Sequence, residues 1–261
     1  MADLDPGGVA AQRARSRAAL RHVSPRHGPL DRVVWIVVRA GFGLVGWRIR
    51  ADGWDLLPRD AAGRVVPCVV AVAPHRGWTD PLLLLLTWPR EAPRLAWFGD
   101  SRTMARSGWR RALLPRLGMI PIPAQATPVA VREHLADARL VLSRGCCLVI
   151  FPEKGPPSAR GRTRTIAPGA AWLAAAGGVP LVPVAIGGFL EIGLRTRFRL
   201  RTLAPLPAAA LPPDSVAGRR AARDATDLLG ATLAPAVAEL ETWSAWANGS
   251  RPLPALRRLF R

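Results

Sequence analysis

The chain contains no tyrosine, and Lys154 is its only lysine. Its positive charge is therefore almost all arginine: Lys and Arg total 37 against 18 Asp and Glu, a formal net charge of +19. Such a balance favours anionic partners, namely acidic lipid headgroups, nucleic acid or a polyphosphate ligand. Cysteine is scarce. Cys68, Cys146 and Cys147 all lie in apolar runs, their number is odd and two are adjacent, which argues for buried free thiols rather than a disulfide framework. No Cys-x-x-Cys or Cys/His spacing offers a metal site, so no metal is expected. No Gly-x-Ser-x-Gly is present, which removes the usual strand-turn-helix serine nucleophile. The basic N-terminal stretch lacks an apolar core, so no secretory signal is expected. Long apolar runs are missing too. Val33 to Trp47 holds 15 residues and contains Arg39, whereas a membrane span needs about 20.

What is present is enough apolar residue, 49% of 261, for one sizeable core. Residues 1–28 read as a disordered basic arm. Residues 29–50 read as an amphipathic helix. Trp35, Trp47 and surrounding arginines suit a lipid headgroup boundary, although a helix packed on the core has the same pattern. From there strands alternate with helices. Apolar β-branched runs at 64–73, 95–98, 119–122, 146–151, 179–186 and 198–203 predict strands. Helices are expected after Asp80, over 102–116, from Thr127 to Arg144, over 167–176 and over 219–242. This pattern predicts a single α/β domain with a mostly parallel or mixed sheet flanked by helices, preceded by an amphipathic N-terminal helix. The core is placed at 51–206. Residues 207–261 form a linker, a C-terminal helix and a basic tail.

Two polar stretches follow predicted buried strands. In VVPCVVAVAPHRGWTDPLLLLL, Val65 to Leu86, His75 and Asp80 lie five residues apart where a strand should give way to a helix. An imidazole can accept a hydroxyl proton near neutral pH, and a carboxylate can orient it. Asp80 before Pro81 also has the form of an ordinary helix cap, and both roles are compatible. Without a serine motif, the activated hydroxyl belongs to the substrate. The second stretch is FPEKGPPS, 151–158, followed by Arg160, Arg162 and Arg164. It offers either a cationic rim for phosphate or a solvated charged loop. His22 and His27 fall in the basic arm, and His134 is expected on an exposed helix face.

These elements resemble the glycerolipid acyltransferases, the group that includes 1-acylglycerol-3-phosphate acyltransferase. HRGWTD is similar to their His-x4-Asp signature, and GMIPIP at 118–123 after Phe98 to a second block. FPEKGPPS is similar to Phe-Pro-Glu-Gly-Thr-Arg-Ser, and VPLVPVAI at 179–186 to a closing strand. The four blocks occur in family order over about residues 50–205. The resemblance implies that His75 deprotonates an acceptor hydroxyl, which attacks the thioester of acyl-CoA or acyl carrier protein, while Asp80 orients His75. It implies no cofactor beyond the acyl donor. Arg76, Gly77, Glu153, Lys154, Gly155, Arg160, Arg162 and Arg164 become candidate acceptor-binding residues. Backbone N–H groups of a nearby turn are the expected oxyanion donors. The implied partners are an anionic membrane surface and a lipid acceptor, with the protein peripheral on the cytoplasmic face of the membrane. The arginines are spread along the chain without a recognised nucleic-acid motif, so no nucleic acid is expected.

The sequence departs from the family pattern in two places. Pro123, Ala124 and Gln125 stand where a phosphate-binding arginine usually follows the second block. Pro156 and Pro157 replace the third block's Thr-Arg. A non-phosphate lipid acceptor is therefore an alternative. So is a non-catalytic lipid- or nucleic-acid-binding protein on the same scaffold, and water as acceptor would make a hydrolase.

Overall fold

The computed structural model describes residues 14–77, 79–102, 107–122, 128–153, 165–188, 193–207 and 215–248. The strands are β1 (Arg48–Asp52), β2 (Val69–Ala73), β3 (Leu95–Asp100), β4 (Met119–Ile122), β5 (Cys147–Ile150), β6 (Leu181–Gly187) and β7 (Arg197–Thr202). They form one mixed sheet in the order β1-β7-β6-β2-β5-β3-β4. The five strands from β6 to β4 run parallel, and β7 turns back antiparallel on β6 with β1 beside it.

Helices cover both faces, as a parallel sheet requires. They are α1 (14–20), α2 (Pro29–Leu44), α3 (Asp80–Thr87), α4 (Gly108–Leu117), α5 (Pro128–Ser143), α6 (Gly169–Gly177) and α7 (Val216–Asn248). β2 shows why the sheet is central: all five of its residues are buried. Successive side chains on a strand alternate faces. Val69, Ala71 and Ala73 accordingly join one apolar cluster with α5, α6 and α7, while Val70 and Val72 join the other with α3 and α4. Cys68 and Cys147 meet in the second cluster, Sγ to Sγ 3.6 Å, and all three cysteines are free and buried.

The sequence reading requires three corrections. The N-terminal segment is ordered from residue 14. α1 is helical, Ala19, Leu20 and Val23 are buried, and the Ser16 hydroxyl donates to the Pro121 carbonyl at 3.0 Å. Arginines on its exposed side outweighed this short apolar stripe in the composition. The amphipathic helix stops at Leu44 rather than running to 50, because Arg48–Asp52 pairs with β7 instead. α7 is longer than the pattern suggested, 33 residues, and Pro235 lies inside it.

Two glycines fix close approaches. Gly118 ends α4 at φ 110°, and a Cβ there would lie 2.4 Å from the Leu95 carbonyl oxygen. A Cβ on Gly187 would lie 2.8 Å from the Leu240 carbonyl oxygen, so α7 rests directly on the end of β6.

Candidate active site

The C-terminal ends of β2, β3, β4, β5 and β6 share one end of the sheet, where open α/β folds bind ligands. His75 follows β2 by two residues, and Glu153 follows β5 by three. These strands are adjacent, so the two stretches singled out from sequence come together.

His75 Nδ1 donates to Asp80 Oδ2 at 2.7 Å. The same oxygen accepts the backbone N–H of Arg76 at 2.7 Å and of Gly77 at 3.2 Å. An oxygen that receives these main-chain donors is an acceptor, so Nδ1 carries a proton, and in the neutral imidazole the Nε2 lone pair is then the available one. Asp80 is fully buried and its Oδ1 has no partner among the described residues. Asp80 is the first residue of α3, and Thr79 occupies the cap position without a side-chain capping bond. The cap reading of Asp80 is therefore corrected: its carboxylate serves the preceding turn and the histidine. Those bonds also engage the N–H groups of Arg76 and Gly77, which removes both as oxyanion donors.

Glu153 Oε2 accepts the backbone N–H of His75 at 2.9 Å. Phe151 stacks on the imidazole with ring centroids 4.2 Å apart and an interplanar angle of 26°. Glu153 also pairs with Ile166 in an isolated antiparallel bridge. Lys154, Gly155, Arg160, Arg162 and Arg164 lie outside the described residues.

Arg76 turns away from the position assigned to it. Its guanidinium pairs with Glu241 of α7, and both side chains are nearly buried, 11% and 13% exposed. Burial raises the Glu241 pKa, Arg76 opposes that shift, and Glu153 adds to it. Sequence carried no signal for Glu241, since the pair is 165 residues apart.

A cavity of about 140 Å³ opens beside the histidine, lined by His75, Gly77, Phe98, Trp109, Arg110 and Phe151 among others. Glu153 is not among its lining residues. The cavity places the imidazole against a mainly apolar wall that also carries Asp100 and Arg110, an arrangement suited to taking a proton from a bound hydroxyl. Among the described residues no group of three or more His, Cys, Asp or Glu could hold a metal ion. His134, read as exposed, is half-buried near Phe98 with both ring nitrogens unpartnered among the described residues, and burial lowers its pKa.

The sequence profile of the acyltransferase family matches residues 58–187, a segment that contains both loops of the site. The fold is similar to the crystal structure of the 1-acyl-sn-glycerophosphate (LPA) acyltransferase PlsC from Thermotoga maritima. The TM-score is 0.57 at 18% sequence identity, over 80% of this chain and 79% of that one. No curated protein sequence matches this one.

Proposed function

We propose, for a chain that belongs to the acyltransferase family, that it moves a fatty acyl group from acyl-CoA or acyl carrier protein to a lysophospholipid hydroxyl. An acceptor of the type of 1-acylglycerol-3-phosphate, the substrate class for which the Thermotoga enzyme is named, fits this reading. The chain is an O-acyltransferase by family, and the observation that carries the mechanism is the His75–Asp80 pair beside the cavity. His75 Nε2 takes the acceptor's hydroxyl proton as its oxygen attacks the thioester carbonyl carbon. The tetrahedral intermediate then collapses, the carbon–sulfur bond breaks, and the imidazolium returns the proton to the leaving thiolate. Asp80 holds the ring in the required tautomer and stabilises the imidazolium.

A second reading, acyl transfer to a lipid acceptor without phosphate, is favoured by one observation. Arg76, the residue after the histidine, pairs with Glu241 rather than lining the cavity, in keeping with the replacement of the usual phosphate-binding arginines at 123–125 and 156–157.

The acceptor is a lipid, so the protein works at a membrane surface in this proposal, peripherally and on the cytoplasmic face. Among the described residues no helix is long and apolar enough to cross a membrane. Val33, Ile36, Val37 and Leu44 are exposed along α2. Leu44 is 90% exposed, and the neighbouring Val45 carbonyl accepts the Arg195 N–H at 2.9 Å. Leu194 and Trp246 are exposed too, and Asn248 of α7 bonds to the Arg197 backbone, which brings the end of α7 to the start of β7. Exposed Arg48, Arg195 and Arg197 accompany them. Apolar tips among arginines suit an anionic bilayer. β7 begins beside the end of β6, so this edge and His75 share one end of the sheet.

The test is acyl transfer in detergent micelles with labelled acyl-CoA or acyl carrier protein, offered lysophosphatidic acid or a phosphate-free lipid alcohol. Wild type should form the acylated lipid and His75→Ala should not, with its melting temperature retained. An active His75→Ala enzyme removes the base assignment. Fatty acid released equally with and without acceptor identifies a hydrolase, and DNA binding at physiological salt without transfer identifies a non-catalytic scaffold.

A further inference from the structure

The ion pair between Arg76 and Glu241 joins the candidate catalytic turn to a helix outside the matched family segment of 58–187. Its geometry is set by packing. Leu240 is fully buried, and α7 lies so close to β6 that Gly187 has no room for a Cβ. That contact brings the next residue, Glu241, to the end of the sheet, where the chain leaves β2 into the turn. Arg76 is held both at its backbone and at its side chain. Its N–H donates to Asp80 Oδ2 at 2.7 Å, and its guanidinium donates to Glu241 Oε1. The residue before it, His75, is held through its own N–H by Glu153. The turn that supplies Asp80 with main-chain donors is thus tied to β5 on one side and to α7 on the other.

We infer that Glu241 is a positioning residue for the acyl transfer, acting through Arg76 to hold the turn that orients Asp80 and His75. The inference rests on the proposed role of His75. Glu241 does not line the cavity beside His75 and touches no reacting atom. Its function is to keep the Arg76 and Gly77 N–H groups on Asp80 Oδ2. When those donors leave, Asp80 becomes a stronger acceptor and holds the imidazolium more tightly. The His75 ring then spends less time in the geometry for proton abstraction.

Removing Glu241 alone takes a carboxylate from the nearly buried Arg76 cation, which threatens the fold itself. The decisive variant is therefore the double replacement Arg76→Met with Glu241→Leu, which removes both charges and keeps the volume apolar. Two readouts apply. In acyl transfer with detergent-dispersed acceptor, kcat should fall about tenfold or more while KM for the acceptor stays within about twofold, as for a lost transition-state interaction. In nitrogen-15 NMR of the histidine rings at one fixed pH, which needs no turnover, the His75 Nδ1 signal should move from its wild-type position as its hydrogen bond to Asp80 changes. A folded double variant with unchanged kcat, or with an unmoved His75 Nδ1 signal, overturns the inference and marks the pair as purely structural. The NMR arm decides this point even if the protein transfers no acyl group. Failure of the proposed function is read separately, from wild type and His75→Ala.

Discussion

His75 and Asp80 share a 2.7 Å hydrogen bond, Nδ1 to Oδ2, and that oxygen also receives two main-chain N–H groups. The carboxylate is fully buried while the imidazole side chain is 39% exposed. One member of the pair is fixed by the protein and the other meets the cavity.

Asp80→Asn should therefore lower kcat sharply. An amide at this place offers N–H₂ or a weaker oxygen to Nδ1, so the imidazole loses its preferred tautomer and the stabilisation of its cation. The expected loss is roughly 10³ to 10⁴-fold, the size seen when a buried orienting aspartate is neutralised. Steady-state kinetics with detergent-dispersed acceptor checks it. A loss confined to KM would show that Asp80 binds substrate instead.

His134 gives the fold a pH dependence. Burial holds its pKa below the ordinary 6.5, with Glu133 opposing the shift. In the unfolded chain it binds a proton more readily, so stability is lost as pH falls through 6.5 toward the lowered folded value. Asp137, near Glu133 and Arg17, has a raised pKa and slopes the opposite way in its own more acidic range. Urea midpoints at pH 7.5, 6.5 and 5.5 should fall for wild type and flatten for His134→Phe. Parallel slopes in the two proteins would contradict the assignment.

The parallel part of the fold was legible because β2, β5 and β6 are unbroken apolar runs, the signature of strands covered on both faces. The His75–Asp80 pair was legible because a polar turn interrupted two such runs. β1 was not, since Arg48–Asp52 has alternating charges and gains its identity only by pairing with β7, almost 150 residues on. The cap reading of Asp80 failed for a related reason. Asp-Pro at a helix start is locally sufficient, and only the fold shows that His75, Arg76 and Gly77 converge on its carboxylate. Glu241 carried no signal, because one glutamate on a long helix says nothing of a partner in a distant turn.

Gly118→Ala should destabilise the protein by about 1–3 kcal/mol. Its φ of 110° is unfavourable for alanine, and the added methyl would meet the Leu95 carbonyl oxygen at 2.4 Å. Denaturant titration should show a lower midpoint at unchanged m. A wild-type midpoint would mean that α4 and β3 can move apart freely.

The thiols should be silent in the native state. Cys68 is held well above its ordinary pKa by its contact with Cys147 and by burial, and burial pushes Cys146 up to about 11. An aromatic disulfide reagent at pH 8 should label none of the three in the folded protein and all three in guanidinium. Rapid native labelling would show that the apolar clusters open.

The exposed edge formed by Leu44, Leu194 and Trp246 should govern membrane affinity. Sedimentation with phosphatidylcholine vesicles containing phosphatidylglycerol should bring the wild type down. The triple change of these residues to Glu should leave it in solution, with transfer to detergent-dispersed acceptor kept. Equal sedimentation on pure phosphatidylcholine would assign the binding to apolar insertion alone, and none at all would remove the membrane reading.

The clamp of Arg76 by Glu241 also has a consequence for how the protein is made. The turn that carries Arg76 leaves the ribosome 165 residues before Glu241. At about 5–20 residues per second the interval is roughly ten to thirty seconds. Throughout it the growing chain carries His75 and Asp80 but lacks the helix that holds their turn. Chains truncated before residue 241 would lack the Glu241 carboxylate, so the turn is held in full only once α7 has been made.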